Sequence, residues 1–167
     1  MNFIKDLLKA ASSFYKDDII RSFSLYSKAL QIGPACASLY NNLALASISI
    51  GRFISKARSF IFDSGQVDLG FRSFSKALDE ATNDEDFELV WYNIGTAAIS
   101  IGDFQLAERA YKISSVYGNG GYSLNNLSVL ASLADNKSEA ANLLAQSNDI
   151  DSTWETQWNS GKSFYTN

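Results

Sequence analysis

Residues 89 to 118, LVWYNIGTAAISIGDFQLAERAYKISSVYG, place bulky, small and polar side chains at helical spacing in two stretches separated by Gly102-Asp103. Trp91, Ile94 and Tyr111 supply the bulk; Gly95, Ala98 and Ala107 supply the small positions. Two antiparallel helices approach closely only where their facing side chains are small. Gly95, Ala98 and Ala107 therefore mark the crossing of a first helix, A, with a second, B. Large residues then fill the space between successive hairpins. Gly102 is expected at the C′ position ending helix A and Asp103 at the N-cap of helix B. The pattern predicts an all-α chain.

These positions are those of the tetratricopeptide repeat, whose period is about 34 residues. With Trp91 at position 4, Ile94 takes 7, Gly95 takes 8, Ala98 takes 11, Gly102 takes 15, Ala107 takes 20 and Tyr111 takes 24. FYKDDIIRSFSLYSKALQIGP, residues 14 to 34, reads as a helix B with Tyr26 at 24, Ala29 at 27 and Pro34 ending the repeat. LYNNLALASIS, residues 39 to 49, is the next helix A, with Leu43 at 7 and Ala44 at 8. LNNLSVLASLADNKSEAANLL, residues 124 to 144, puts Leu127 at 7, Ser128 at 8, Ala140 at 20 and Leu144 at 24. The reading gives repeats at 3–36, 37–84, 88–120 and 121–154, and a right-handed superhelix of helix hairpins, an all-α solenoid. Residues 155–167 form a partial further repeat with Gly161 at position 8 and no helix B. A solenoid ending in mid-hairpin bares an apolar face, so the chain is expected either to be cut there or to meet a partner.

The second repeat is too long. Removing Ile50 to Asp63, IGRFISKARSFIFD, restores the period and puts Gly65 at position 15, Gly70 at 20, Phe74 at 24 and Ala77 at 27. The insertion reads as an extra helical turn or hairpin packed on the repeats. Its alternatives are a segment foreign to the fold, because no turn residue marks its first junction, and a basic amphipathic membrane-surface helix carrying Arg52, Lys56 and Arg58. Downstream, LDEATNDEDFE (78–88) holds six acidic residues at a repeat junction. Carboxylates favour helix N-termini, and the loop spacing of calcium sites is absent.

Composition narrows the chemistry. The chain has no histidine, so triads and His-containing zinc sites lack their central residue. Cys36 stands alone, which excludes an internal disulfide and a cysteine zinc cluster and fits a reducing, intracellular setting. A net charge of −4 argues against nucleic-acid binding, which needs a surplus of Lys and Arg. The start, MNFIKDLLKAASSFYKDD, lacks the apolar core of a secretory signal, and no apolar run approaches a bilayer span. GNGG at 118–121 lacks the lysine of a phosphate loop and reads as a repeat junction. The expectation is a soluble, cytoplasmic protein with no catalytic, cofactor-binding or metal-ligating residues. Membrane contact would be indirect, through partners.

Positions 2, 5, 9, 12 and 13 of helix A line the concave groove of such a superhelix. They are Asn41, Leu45, Ile48 and Ser49; then Leu89, Tyr92, Thr96, Ile99 and Ser100; then Tyr122, Asn125, Val129, Ser132 and Leu133. From these the protein-binding residues are expected to be Asn41, Leu45, Ile48, Tyr92, Thr96, Ile99, Asn125, Val129 and Leu133. No Lys or Arg is among the groove positions. Grooves that clamp an acidic chaperone tail need basic residues to pair its carboxylates, so this one suits an amphipathic helix or another subunit's surface. Asn42, Asn93 and Asn126 recur at position 6 and read as hydrogen-bonding residues of helix A.

In order along the chain, FYKDDIIRSFSLYSKAL, LYNNLALASIS, the acidic junction before VWYNIGTAAISIGD, LAERAYKI and LNNLSVLASLADNKSEAANLL resemble repeats toward the carboxy-terminal half of the Bardet-Biedl syndrome protein 8 family. The likeness covers most of residues 10 to 145. It implies a non-enzymatic subunit of the BBSome, a coat-like complex that carries membrane proteins to and from cilia, located at the cilium and basal body. Other BBSome subunits would be its partners. The chain is much shorter than that family, and Ile50 to Asp63 is foreign to it. The alternative is a generic tetratricopeptide scaffold of another multiprotein complex.

Overall fold

The computed structural model describes residues 9, 11–13, 17–57, 64–118 and 120–150, and every regular element among them is helical. The elements are α1 (Ile19–Ile32), α2 (Ala37–Ala57), α3 (Ser64–Asp79), α4 (Asp84–Ile101), α5 (Phe104–Ser114), α6 (Gly121–Leu133) and α7 (Lys137–Ile150). The fold class is all-α, built of tetratricopeptide-like helix hairpins. The chain divides into two compact units, 1–82 and 83–167. Gly161 and the rest of the expected partial repeat lie outside the described residues.

In the first unit α1 packs on α2 and α2 on α3. Asp18 starts α1 by accepting a hydrogen bond from the Arg21 amide at 3.0 Å, and Gly33 ends it with its N–H on the Ala29 carbonyl. Tyr26, Ala29, Leu39, Leu43 and Ala46 form the core with Ala11, whose carbonyl accepts from the buried Ser22 hydroxyl at 2.7 Å. Between α2 and α3 the close approach falls at Gly70. A Cβ there would collide with the Ile48 side chain and come within 3.1 Å of the Ala44 carbonyl oxygen.

α2 runs without a break through Ser49-Ile50 to Ala57, so the first part of the expected insertion continues helix A; Ile50 and Gly51 are buried. Residues 58–63 lie outside the described residues. Gly65 differs from expectation. Because α2 reaches Ala57 and α3 begins at Ser64, Gly65 sits in the first turn of α3 and not in an interhelical turn.

The Ser47 hydroxyl in α2 is fully buried and has no hydrogen-bond partner among the described residues. Ala98 occupies the corresponding position in α4 and is equally buried. A buried hydroxyl without a partner costs about 1–3 kcal/mol. Ser47→Ala is therefore expected to raise stability by about 1 kcal/mol. The check is the urea midpoint, which should rise without a change in the slope of the transition; a lower midpoint would mean that the hydroxyl is satisfied in solution.

In the second unit α4 pairs with α5, α6 pairs with α7, and α5 joins the hairpins by packing on α6. The acidic junction does what helix electrostatics requires. Asn83 caps α4 by accepting from the Asp86 amide at 2.9 Å, and Asp84, Glu85 and Asp86 fill the first turn. Gly102 takes the left-handed conformation, φ 84°, and Asp103 caps α5 by accepting from the Leu106 amide at 2.9 Å. Asp135 adopts φ 59° at the equivalent place in the next hairpin. Asn136 and Glu139 follow it, joined side chain to side chain at 2.6 Å. Glu139 thus belongs to the start of α7, and Asp135 to the left-handed turn that ends α6.

The same positions are buried hairpin after hairpin. Tyr26, Phe74, Tyr111 and Leu144 are the large B-helix residues, Ser22, Gly70, Ala107 and Ala140 the small ones at the crossing, and Ala29, Ala77, Ser114 and Ser147 the small ones a turn further on. The two serines of that last set add a bond that the small-residue pattern does not reveal. Ser114 donates to the Glu88 carbonyl at 2.9 Å and Ser147 to the Gly121 carbonyl at 2.8 Å, each tying the end of a helix B to the start of its helix A. Ser123 donates to Ser114 at 2.7 Å and so links α6 to the preceding hairpin.

Candidate protein-binding surface

On α4 the residues Leu89, Tyr92, Thr96 and Ile99 follow one another at steps of three and four, which places them on one face. Leu89, Thr96 and Ile99 are exposed and Tyr92 is half-buried. On α6 the exposed residues are Tyr122, Val129 and Leu133, at 43%, 40% and 73%. Isolated apolar side chains on a surface are ordinary; a file of them on each of two A helices of one unit is not.

Three tyrosines organise this surface. Tyr92 contacts Tyr111 at 5.8 Å between ring centroids and Tyr122 at 6.3 Å, edge to face. Tyr111 belongs to α5, and it reaches the A-helix side because Gly95 lets its ring lie directly on the α4 backbone. A Cβ on Gly95 would stand 2.6 Å from Tyr111 Cε1. The Tyr111 hydroxyl lies 3.1 Å from Thr96 Oγ1. Burial pushes that hydroxyl above its ordinary pKa, and the hydrogen bond with Thr96 partly offsets the rise.

Beside this cluster a cleft of about 400 Å³ opens between the start of α4 and the start of α6, lined by Glu85, Glu88, Leu89, Tyr92 and Tyr122. Glu88 Oε1 accepts from the Gly120 amide at 2.9 Å. Gly118 and Gly120 both take left-handed backbone, φ 52° and 65°, with the Glu88 carboxylate packed where a Cβ on Gly118 would stand. A carboxylate of α4 thus stands against Gly118 and Gly120, where its charge would repel a phosphate. Among the described residues no cluster of three or more Cys, Asp and Glu could hold a metal ion, and no helix is long and apolar enough to cross a membrane.

Of the expected groove residues, Tyr92, Thr96, Ile99, Val129 and Leu133 lie on this surface, all in the second unit. Leu45, in the first unit, is half-buried. Asn41, Ile48 and Asn125 are corrected: each is buried, at 2%, 3% and 5% exposure. Ile48 is drawn into the interior because α3 closes on α2 at Gly70. Asn125 lies three residues after the exposed Tyr122 on α6, on the buried side of that helix with Leu124 and Ser128. Groove numbering taken from helix position alone does not see how closely the neighbouring helix packs. It also misses Glu85 and Glu88, whose place in the acidic junction suggests capping and solvation only. Asn93 is buried and Asn42 and Asn126 are half-buried, with Asn126 bonding toward the Tyr111 hydroxyl.

No protein-family model matches the chain. Tetratricopeptide repeat protein 8 of Mus musculus is 34% identical over 76 residues, which is 45% of this chain and 15% of that protein. The Homo sapiens protein of the same name is 34% identical over 76 residues, 14% of its length. The chain therefore resembles Tetratricopeptide repeat protein 8 over a stretch that spans about one seventh of those relatives.

Proposed function

We propose that the chain is a non-enzymatic interaction scaffold that docks an amphipathic helix or another subunit's surface on the A-helix face of its second unit. The observation that carries this reading is the exposed file Leu89, Ile99, Tyr122, Val129 and Leu133 around a tyrosine cluster, with no Lys or Arg at any groove position. Protein interfaces are enriched in tyrosine and poor in lysine at their centres, and helices dock through apolar residues at such spacing. The resemblance to Tetratricopeptide repeat protein 8 supports the finer proposal of a BBSome subunit in ciliary membrane-protein trafficking and cilium assembly, cytoplasmic and at the cilium and basal body. The test is proximity labelling in a ciliated cell with the chain and its Ile99→Asp/Leu133→Asp form. Recovery of other BBSome subunits with the first and their loss with the second is expected. Subunits of an unrelated complex would overturn the ciliary reading, and an unchanged set would overturn the face.

The same surface makes a negative prediction. An acidic chaperone tail would bring carboxylates to a cleft lined by Glu85 and Glu88, with no Lys or Arg among its described lining residues. Calorimetric titration with such a peptide is expected to give no measurable binding up to millimolar concentration; micromolar affinity would contradict it.

A further inference from the structure

We propose that the cleft at the start of α4 takes a lysine or arginine side chain of the docked segment, so that this surface selects basic amphipathic partners. The proposal rests on the docking reading above and names the partner's chemistry. The cleft's apolar walls are Leu89 and the side chains of Tyr92 and Tyr122, whose rings meet edge to face at 64°. Its polar lining is two carboxylates, Glu85 and Glu88, at a spacing that puts both on one side of the helix. Asp84 and Asp86 add negative charge in the same first turn. The Gly120 amide fixes Glu88 in place, so its charge is held at the cleft and does not swing into solvent.

An apolar or acidic side chain seated there would strip water from two carboxylates and offer nothing in return. A cation on an aliphatic stem meets every group in the lining: the stem covers Leu89, the tyrosine rings attract the charge, and the carboxylates accept its hydrogen bonds. A volume of about 400 Å³ has room for one such side chain. From the cleft the exposed apolar residues continue to Ile99, Val129 and Leu133, with the exposed hydroxyl residues Thr96 and Ser132 among them. The matching segment has a Lys or Arg at one end and apolar residues at helical spacing after it.

A displayed library of random peptides, selected on the full chain, tests this. Enrichment of Lys or Arg beside apolar residues at steps of three and four is expected. The selected peptide should lose about tenfold or more in affinity against Glu85→Lys, less against Glu85→Gln, and should weaken as salt rises. Both variants sit at an exposed position, and circular dichroism checks their fold. Neutral or acidic peptides that still lose binding to Leu133→Asp would overturn the basic-partner proposal and leave the docking surface standing. Peptides indifferent to Leu133→Asp, or none recovered, would overturn both.

Discussion

Gly95→Leu is expected to unfold the α4–α5 hairpin. The Tyr111 ring lies against the α4 backbone at Gly95, with three ring atoms between 2.6 and 2.9 Å from where a Cβ would stand. Even alanine would force the ring to move, and leucine adds three more carbons. Overpacking costs about 1–3 kcal/mol for extra methylenes in a well-packed core. Here the obstacle is a buried aromatic ring whose hydroxyl is tied to Thr96, so the cost lies at or beyond the top of that range. Tyr111 cannot retreat without breaking its contact with Tyr92 and exposing Leu124 and Leu127, its neighbours in the core. Chemical denaturation measures the loss. Tyr111→Ala in the same chain opens the space and should make the leucine less harmful than it is alone, a coupling that a double-mutant cycle reads directly. Wild-type stability for Gly95→Leu would mean that α4 and α5 do not cross at this residue.

Phe74→Ala carries the second large effect, in the first unit. Phe74 is 1% exposed, contacts Phe71 at 6.1 Å between centroids, and holds the place on α3 that Tyr26 holds on α1. Truncating a buried phenylalanine costs about 3–5 kcal/mol, because the lost transfer energy adds to the cavity left behind. Phe74→Leu should cost far less, since the shape of this position accepts leucine in the last hairpin, where Leu144 is buried. The pair of variants separates two explanations. If volume at the hairpin interface is what matters, alanine falls in urea midpoint by several times more than leucine. Equal losses would point to a specific aromatic contact with Phe71.

Much of this fold is legible in the residues because two kinds of position cannot be exchanged. A crossing tolerates only small side chains and an inter-hairpin space demands large ones, so Gly70, Gly95, Ala107 and Ala140 against Tyr26, Phe74, Tyr111 and Leu144 identify the register before any contact is known. Gly102-Asp103 is equally readable, because a left-handed C′ residue followed by a capping carboxylate has few substitutes. Other features escape for physical reasons. The repeat period alone does not say how far α2 runs; Ile50 to Ala57 carries no Gly-Asp or Pro stop, and a helix continues until something ends it. The serine bonds of Ser114 and Ser147 were hidden because serine at those places reads simply as a small residue. The proposed binding face is half legible. Periodicity along α4 finds Tyr92, Thr96 and Ile99, yet the burial of Asn41, Ile48 and Asn125 depends on the neighbouring helix, which a single helix's spacing does not contain.

The same limit applies to Glu85 and Glu88. Within the sequence they belong to an acidic run at a helix start, and capping accounts for the run. Only the approach of α6, bringing Tyr122 and the Gly120 amide beside them, turns two solvated carboxylates into the lining of a cleft.

The most direct measurement is amide hydrogen exchange on the full chain, free and in complex with the partner recovered by proximity labelling. Added amide protection is expected along the A helices of the second unit, in α4 and α6 and centred on Tyr92, Ile99, Tyr122 and Val129. Protection confined to α5 and α7, with α4 and α6 unchanged, would contradict it.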